Sequence, residues 1–494
     1  MAGAGNQIPG NEGTQAPLLF KLSNGLTVIL HRDPDLPLVT IEAAVKNGSF
    51  TEPPDMNGLS HLYEHMFFKG NAVFPDQESV LSRLRTLGTV FDATTSEEVV
   101  TYFLSLSSSR LDQGLRFLRD ALLTPKFDPG ELAKERRVVL AEYDRAEANP
   151  TWLLRRALDK ALWYRYWSRK NPIGSRSVVA HATREQMRRI QRLYYQPTNT
   201  AIIVSGDISI ARTKNLVTRL FGTWKGRPVH LPRIEHPALK TSKVLFVHRP
   251  LRMVTILVGL QGPALRDDRS ATYAADVLTY ALNQRAGAFQ RRMVRSGLAL
   301  RASAMYATKW AKGPIYFELT TTPQKALPAT RALMELLPNL ARPGLVSDAD
   351  ITTAKRLLAV QDTYDREAPV SYAHLLAHWW ATSGLDYYLT YIRQLSRVSR
   401  QDIARFVDRY VAKRPMVIGI LCSRQSASRA GLTKEAVEKL LVQSPGDMTK
   451  PRSPGNLPEN RPGRTDGGKE PHSHRDSRTD KASRAGRSAR GGVQ

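Results

Sequence analysis

Apolar and polar positions change period several times along this chain, and each change marks an element. Leu18 to His31 is rich in Leu, Val and Ile around Asn24-Gly25 and reads as a β-hairpin with that pair as the turn signal. Leu38 to Val45 reads as the next strand, and a helix follows the loop from Thr51 to Asn57. Helices and strands then alternate to about Trp224, where Pro228, Pro232 and Pro237 mark a linker. The pattern then starts again. Ser242–His248 and Met253–Gly259 read as strands, and Ala271–Leu282 as the helix after them.

The first helix carries Gly58-Leu59-Ser60-His61-Leu62-Tyr63-Glu64-His65-Met66. Positions 61, 64 and 65 share one helical face. Two imidazoles one turn apart can hold a zinc ion, and a carboxylate between them can reach a water that the metal activates. H-x-x-E-H is the reverse of the commoner H-E-x-x-H motif, and both are metallopeptidase signatures. A polar helix face with two solvated histidines would give the same text. A catalytic zinc also needs a third protein ligand from elsewhere. Glu131 to Tyr143 reads as a long helix on which Glu135 and Glu142, two turns apart, project to one side. One of them could ligate while the other supports the site, although glutamates on helix surfaces are common.

Together these residues resemble the pitrilysin (M16) family of inverted-motif zinc metallopeptidases, the group of insulin-degrading enzyme and the mitochondrial processing peptidase. In that family the third ligand stands 77 positions past the second histidine, and counting from His65 lands on Glu142. The assisting glutamate seven residues earlier is Glu135. The segment Asp92-Ala93-Thr94-Thr95-Ser96 is similar to the family's Asn-Ala-x-Thr edge strand, on which a peptide substrate lies, with Asp92 in place of asparagine. Asn171-Pro172-Ile173-Gly174, Tyr194 to Asn199, Val204 to Asp207 and Phe221 to Trp224 are similar to later landmarks.

The resemblance implies an α+β fold of two homologous αβ-roll halves, each a mostly antiparallel sheet packed with helices, closing as a clam-shell. It implies a zinc-binding domain at 17–227, a linker at 228–241 and an inactive homologous domain at 242–446, while the composition of the polar segments 1–16 and 447–494 predicts disorder there. It also implies a zinc endopeptidase with one Zn2+ per chain. His61, His65 and Glu142 would be ligands, and Glu64 the base, assisted by Glu135. Asp92 to Ser96 would bind an extended peptide.

The second half departs from the family. Its helix has Tyr273, Asp276 and Tyr280 but no histidine, so it cannot hold zinc in the same way. Many members carry an arginine and a tyrosine there that grip substrate; the matching positions hold Met293 and Leu300. Leucine cannot donate to an oxyanion. Arg292 or Arg295 could stand in for the arginine, and Tyr306 is nearby. The chain therefore resembles the zinc-carrying subunit of a bacterial processing-peptidase-like heterodimer, whose homologous non-zinc partner supplies those groups. A homodimer with a drifted motif is the alternative, and a non-catalytic scaffolding subunit of the same fold is the rival function.

Composition narrows the rest. The length of 494 residues is enough for two or more compact units. The single cysteine, Cys422, excludes an intramolecular disulfide and a cysteine zinc site, and its apolar surroundings make it a core residue. No apolar run is long enough to span a membrane, and the first 16 residues lack a signal-peptide core. The net charge of +27 is spread over helices and the tail, which reads as a solvated surface rather than a nucleic-acid footprint. A soluble core behind a polar stub favours a bacterial periplasm or envelope over the cytoplasm.

Overall fold

Eleven β-strands, largely Val, Ile, Leu and Thr, form two sheets among the described residues, which in this computed structural model are 16–163 and 171–442. The first sheet uses β1 (Leu18–Lys21), β2 (Thr27–Arg32), β3 (Leu38–Val45), β4 (Val90–Thr95), β5 (Val100–Ser107) and β6 (Thr200–Gly206), in the order β1-β2-β6-β3-β5-β4. The second uses β7 (Lys243–His248), β8 (Val254–Ala264), β9 (Arg301–Tyr306), β10 (Lys312–Thr321) and β11 (Val417–Cys422), in the order β7-β11-β8-β10-β9. With β1 set aside, the two orders are identical. In each, the first strand pairs parallel with the last, and all other pairs are antiparallel. The restart of the apolar pattern after the linker is thus a repeat of topology.

The expected hairpin is present, with Leu18 opposite Leu30. Its connection runs over five residues rather than a two-residue turn, and Gly25 takes a φ of +88°. Cys422 is fully buried at the end of β11.

Six helices carry the argument that follows. They are α1 (Leu59–Met66), α2 (Pro129–Glu147), α3 (Pro150–Trp163), α4 (Arg269–Asn283), α5 (Asp348–Glu367) and α6 (Pro369–Thr382). α1 follows the second strand of the first repeat, and α4 follows the second strand of the second. One face of each sheet is covered by helices of its own half, giving two large apolar cores.

The opposite faces are covered by exchange. Tyr372, Ala373, Leu376, Ala377 and Trp380 of α6 pack on Ile29, Ala44, Ala201 and Ile203 of the first sheet. Leu154, Leu158 and Leu162 of α3 pack on Leu257, Val417 and Leu421 of the second. The segment 228–241 therefore separates the sheets in sequence, while the apolar contacts cross it in both directions. Polar contacts cross as well: the buried Glu42 of β3 accepts from His374 of α6 at 2.6 Å. All described residues fall in one compact unit within Met1–Pro445. Most of the expected stub (1–15) and the whole expected tail (447–494) lie outside the described residues.

Candidate metal centre

The site begins with the way α1 is held. Leu59, Leu62, Tyr63 and Met66 are buried on one side of the helix. Tyr63 stacks on Tyr195 with ring centroids 4.2 Å apart, and the following Phe67 stacks on Tyr102 at 3.7 Å. The N-terminus has no local side-chain cap. Instead the buried Glu52 accepts from the Gly58 N–H at 2.9 Å and the Ser60 N–H at 2.7 Å. A carboxylate there satisfies otherwise orphaned donors and complements the positive end of the helix. Gly58 itself has φ +102°, and a Cβ would lie 2.8 Å from the Ile173 carbonyl oxygen, so the entry to α1 requires glycine.

With the apolar side anchored, His61 and His65 face α2, and Glu64 faces Thr95 at the end of β4. That helix starts at an Asp128 cap, whose Oδ1 accepts from the Gly130 and Glu131 N–H groups at 2.8 and 3.0 Å. Two turns separate Glu135 from Glu142, and both reach α1. Glu142 Oε2 lies 3.8 Å from His61 Nε2 and 3.7 Å from His65 Nε2. The donor atoms of the three residues all lie within 4.8 Å of one another. Three donors on one tetrahedral zinc stand roughly 3.3–3.5 Å apart, given bonds of about 2.0–2.1 Å. A two-nitrogen, one-oxygen set at these separations therefore fits zinc with small side-chain adjustments. The histidine rings are nearly perpendicular, at 86°.

Glu135 is placed differently. Its Oε2 is 3.0 Å from His65 Nδ1, and its Oε1 accepts from Lys69 Nζ at 2.7 Å. It holds the far side of a candidate ligand ring, which is how outer carboxylates fix a histidine's tautomer. His61 Nδ1, by contrast, is buried without a hydrogen-bond partner.

Electrostatics separates the two histidines. Burial, with His65 adding to it, pushes His61 down to about 4, which keeps its lone pair free. Burial also works against charge on His65, but its hydrogen bond to Glu135 and the carboxylates of Glu64, Glu142 and Glu135 outweigh that and raise its pKa. Burial raises Glu64, opposed by a hydrogen bond from Thr95. Glu135 is lowered, since the His65 and Lys69 contacts overcome its burial.

The segment expected to bind peptide forms β4, at the edge of the first sheet. Asp92 and Thr94 are exposed. Asp92 Oδ1 accepts from the Ala93 N–H at 2.8 Å, and Thr94 shares a 3.0 Å hydroxyl contact with Thr101. Thr95 donates its hydroxyl to Glu64 Oε2 at 2.6 Å. Ser96 belongs to the turn after the strand, where its N–H donates to the Val99 carbonyl.

In the second half, Leu300 is 61% exposed while Met293 is fully buried, so the arginine position of the family is a core position here. Arg292 and Arg295 are exposed. Tyr306 is buried and its hydroxyl donates to the Pro263 carbonyl at 3.2 Å, which removes it as a replacement tyrosine. Sequence reasoning missed Glu52, Lys69 and the Thr95–Glu64 bond. Glu52, close before α1, was the one with a readable signal, as an acid ahead of a helix lacking a Ser, Thr, Asp or Asn cap.

A repeated fold in which only the first copy carries H-x-x-E-H defines the class of inverted-motif metallopeptidases. Comparison with known proteins leads to the same class: residues 27–172 match Insulinase (Peptidase family M16), and residues 181–358 match the Peptidase M16 inactive domain. The chain belongs to the M16, pitrilysin-like peptidase family. It is 27% identical to the uncharacterized zinc protease YmxG of Bacillus subtilis, over 66% of this chain and 79% of that one. Its fold is similar to a Helicobacter pylori protease at TM-score 0.75 and 21% identity, covering 82% of this chain and 99% of that one. It is also similar to the first half of the periplasmic protease PqqL from Escherichia coli, at TM-score 0.72 and 20% identity, covering 86% and 96%. No helix among the described residues is long and apolar enough to cross a membrane.

Proposed function

We propose that this chain is a zinc-dependent endopeptidase that cleaves extended or unfolded polypeptide, and that it is the catalytic subunit of a two-subunit enzyme. The observation that carries the reading is the convergence of His61, His65 and Glu142 donors within 4.8 Å, beside a further glutamate and an open strand edge. His61, His65 and Glu142 would hold the ion. Bound zinc supplies a Lewis acid for the scissile carbonyl and lowers the pKa of water toward neutrality. Glu64 accepts the proton of the attacking water and passes it to the leaving amine. Glu135 keeps the His65 ring turned toward the site.

The peptide adds a strand beside Asp92 to Ser96, so recognition is mainly of extended backbone. A peptide that takes the Ala93 N–H must first displace the Asp92 carboxylate from it. Leu300 and the buried Tyr306 leave the second half without a free tyrosine at the matching position, which supports a homologous partner that supplies one. A periplasmic or envelope setting is consistent with the PqqL likeness.

The test is metal analysis with hydrolysis of unfolded casein, with and without chelator and rescue by added zinc. Glu64→Gln is expected to keep about one zinc per chain and lose at least ~1000-fold in turnover. Undiminished turnover in that variant removes Glu64 from the base role. A chain that binds zinc but hydrolyses nothing, even with its homologous partner, supports the scaffolding role instead.

A further inference from the structure

We propose that Thr95 is a positioning residue for Glu64, and that the second half of the chain braces it through Lys309. The inference rests on the reading of Glu64 as the base. A glutamate side chain has several free torsions, and a reacting group displaced by about 1 Å can lose roughly 100-fold in rate. Glu64 needs something stiff to hold it. Thr95 is β-branched, restricted at χ1, and fixed in the ladder opposite Val100. Its hydroxyl meets Glu64 Oε2 at 2.6 Å, the length of a hydroxyl bond to an ionised carboxylate. The neighbouring Thr94 pairs with Thr101 instead, so only one of the two threonines is engaged with the base.

Thr95 is the last residue of β4, and the turn beyond it is pinned from several sides. The Ser96 N–H donates to the Val99 carbonyl at 2.9 Å, and Ser96 Oγ accepts from the Val99 N–H at 3.1 Å. The Phe50 N–H donates to the Glu97 carbonyl at 3.0 Å. Gly48, at φ +144°, lies so close that a Cβ there would stand 2.4 Å from the Ser96 carbonyl oxygen. The last clamp comes from the second half: Lys309, between β9 and β10, reaches Glu97 Oε2 at 3.4 Å, with both side chains largely shielded. A path of direct contacts thus runs from the hairpin of the inactive half, through the Glu97 turn and Thr95, to Glu64. The strand that would pair with peptide is the strand that holds the base.

Thr95→Val removes the hydroxyl at nearly constant shape, and Thr95→Ser keeps it. Each variant would be assayed as the full zinc-loaded chain together with its homologous partner on a quenched, unstructured casein-derived peptide, and crystallised. For Thr95→Val, zinc content equals wild type, KM stays within about twofold, and kcat falls about 10- to 100-fold. Thr95→Ser returns kcat to within about threefold of wild type. In the Thr95→Val crystal the Glu64 carboxylate leaves its place. Lys309→Met lowers kcat about threefold, and the Thr95→Val/Lys309→Met double variant is no slower than Thr95→Val alone. Wild-type kcat in Thr95→Val, or an unmoved Glu64 carboxylate in its crystal, overturns the role of Thr95. Effects that multiply in the double variant remove Lys309 from the path. A wild-type chain that hydrolyses nothing even with its homologous partner counts against the peptidase reading, and the crystallographic comparison decides on Thr95 in either case.

Discussion

The two halves share one strand order, yet they treat the helix after their second strand in opposite ways. On α1 the i, i+3, i+4 positions are His61, Glu64 and His65, which stay partly open beside α2. On α4 the same spacing gives Tyr273, Asp276 and Val277. Ten of the residues of α4 are buried, including Tyr273 and Val277. Tyr273 stacks on Tyr387 at 5.0 Å, Tyr387 shares a 2.9 Å hydroxyl contact with Thr272, and Tyr391 donates to Asp276 at 2.7 Å. Aromatic side chains crowd this helix, whereas beside α1 the donor atoms of His61, His65 and Glu142 converge within 4.8 Å. The lesson is that topology alone does not make the site. The same helix position is used for packing in one copy and, in the proposed reading, for a metal centre in the other.

The strongest way to break this contrast is to compare metal content. Glu142→Ala removes the one candidate ligand that lies outside the histidine helix. It is expected to drop zinc from about one per chain to well below that and to abolish hydrolysis, by ~1000-fold or more. Tyr273→Phe on α4 is expected to change neither. Zinc retained at full stoichiometry in Glu142→Ala, measured by elemental analysis after dialysis, would show that the contrast is drawn at the wrong residues.

A second, smaller effect concerns the exchanged helices. Leu376 of α6 and Leu158 of α3 are both fully buried, each on the sheet of the other half. Truncating either to Ala is expected to cost about 2–5 kcal/mol. The location of the damage is the sharper readout. Hydrogen exchange in Leu376→Ala should accelerate in β3 and β6, although α6 belongs by sequence to the second half. In Leu158→Ala it should accelerate in β8 and β11. Damage confined to each helix's own half would mean that the crossed packing contributes little.

What could be read from the sequence follows the range of the interactions. The first hairpin, α1 and the restart of the pattern were legible because alternation and helical spacing are local, whereas the edge strand was placed only through the family resemblance. His61, Glu64 and His65 were legible because one helical turn places them. Glu142 is 77 residues from His65; helical spacing made it one of two candidates with Glu135, and only a family spacing chose between them. The bond from Thr95 to Glu64 and the grip of Lys69 on Glu135 join elements whose relative placement no local period encodes. The exchange of α3 and α6 was hidden for the same reason. An apolar helix announces that it will be buried, and its sequence does not say which sheet will cover it. The tyrosine position illustrates the other direction: Tyr306 stood near in sequence, and its burial against Pro263 was visible only in the fold.

The smallest expected effect probes the inactive half itself. Burial pushes the Asp276 carboxyl up to about 7, against the hydrogen bond from Tyr391, which favours the ion. In an unfolded chain the same group ionises near 3.9. Between these values the folded protein keeps a proton that the unfolded chain has released, so stability falls as pH rises from about 4 to about 7. Asp276→Asn stays neutral and can still accept from Tyr391, which removes this slope while other titrating groups cancel in the comparison. Wild type and variant should therefore have nearly equal stability close to pH 4. By about pH 8 the wild type should be the weaker by roughly 1–3 kcal/mol, less than the full shift allows because the side chain keeps some solvent contact. Thermal melts at matched pH measure this directly. Curves that stay parallel across the range would mean that Asp276 ionises without penalty, and that the second half is more open around α4 than its aromatic packing implies.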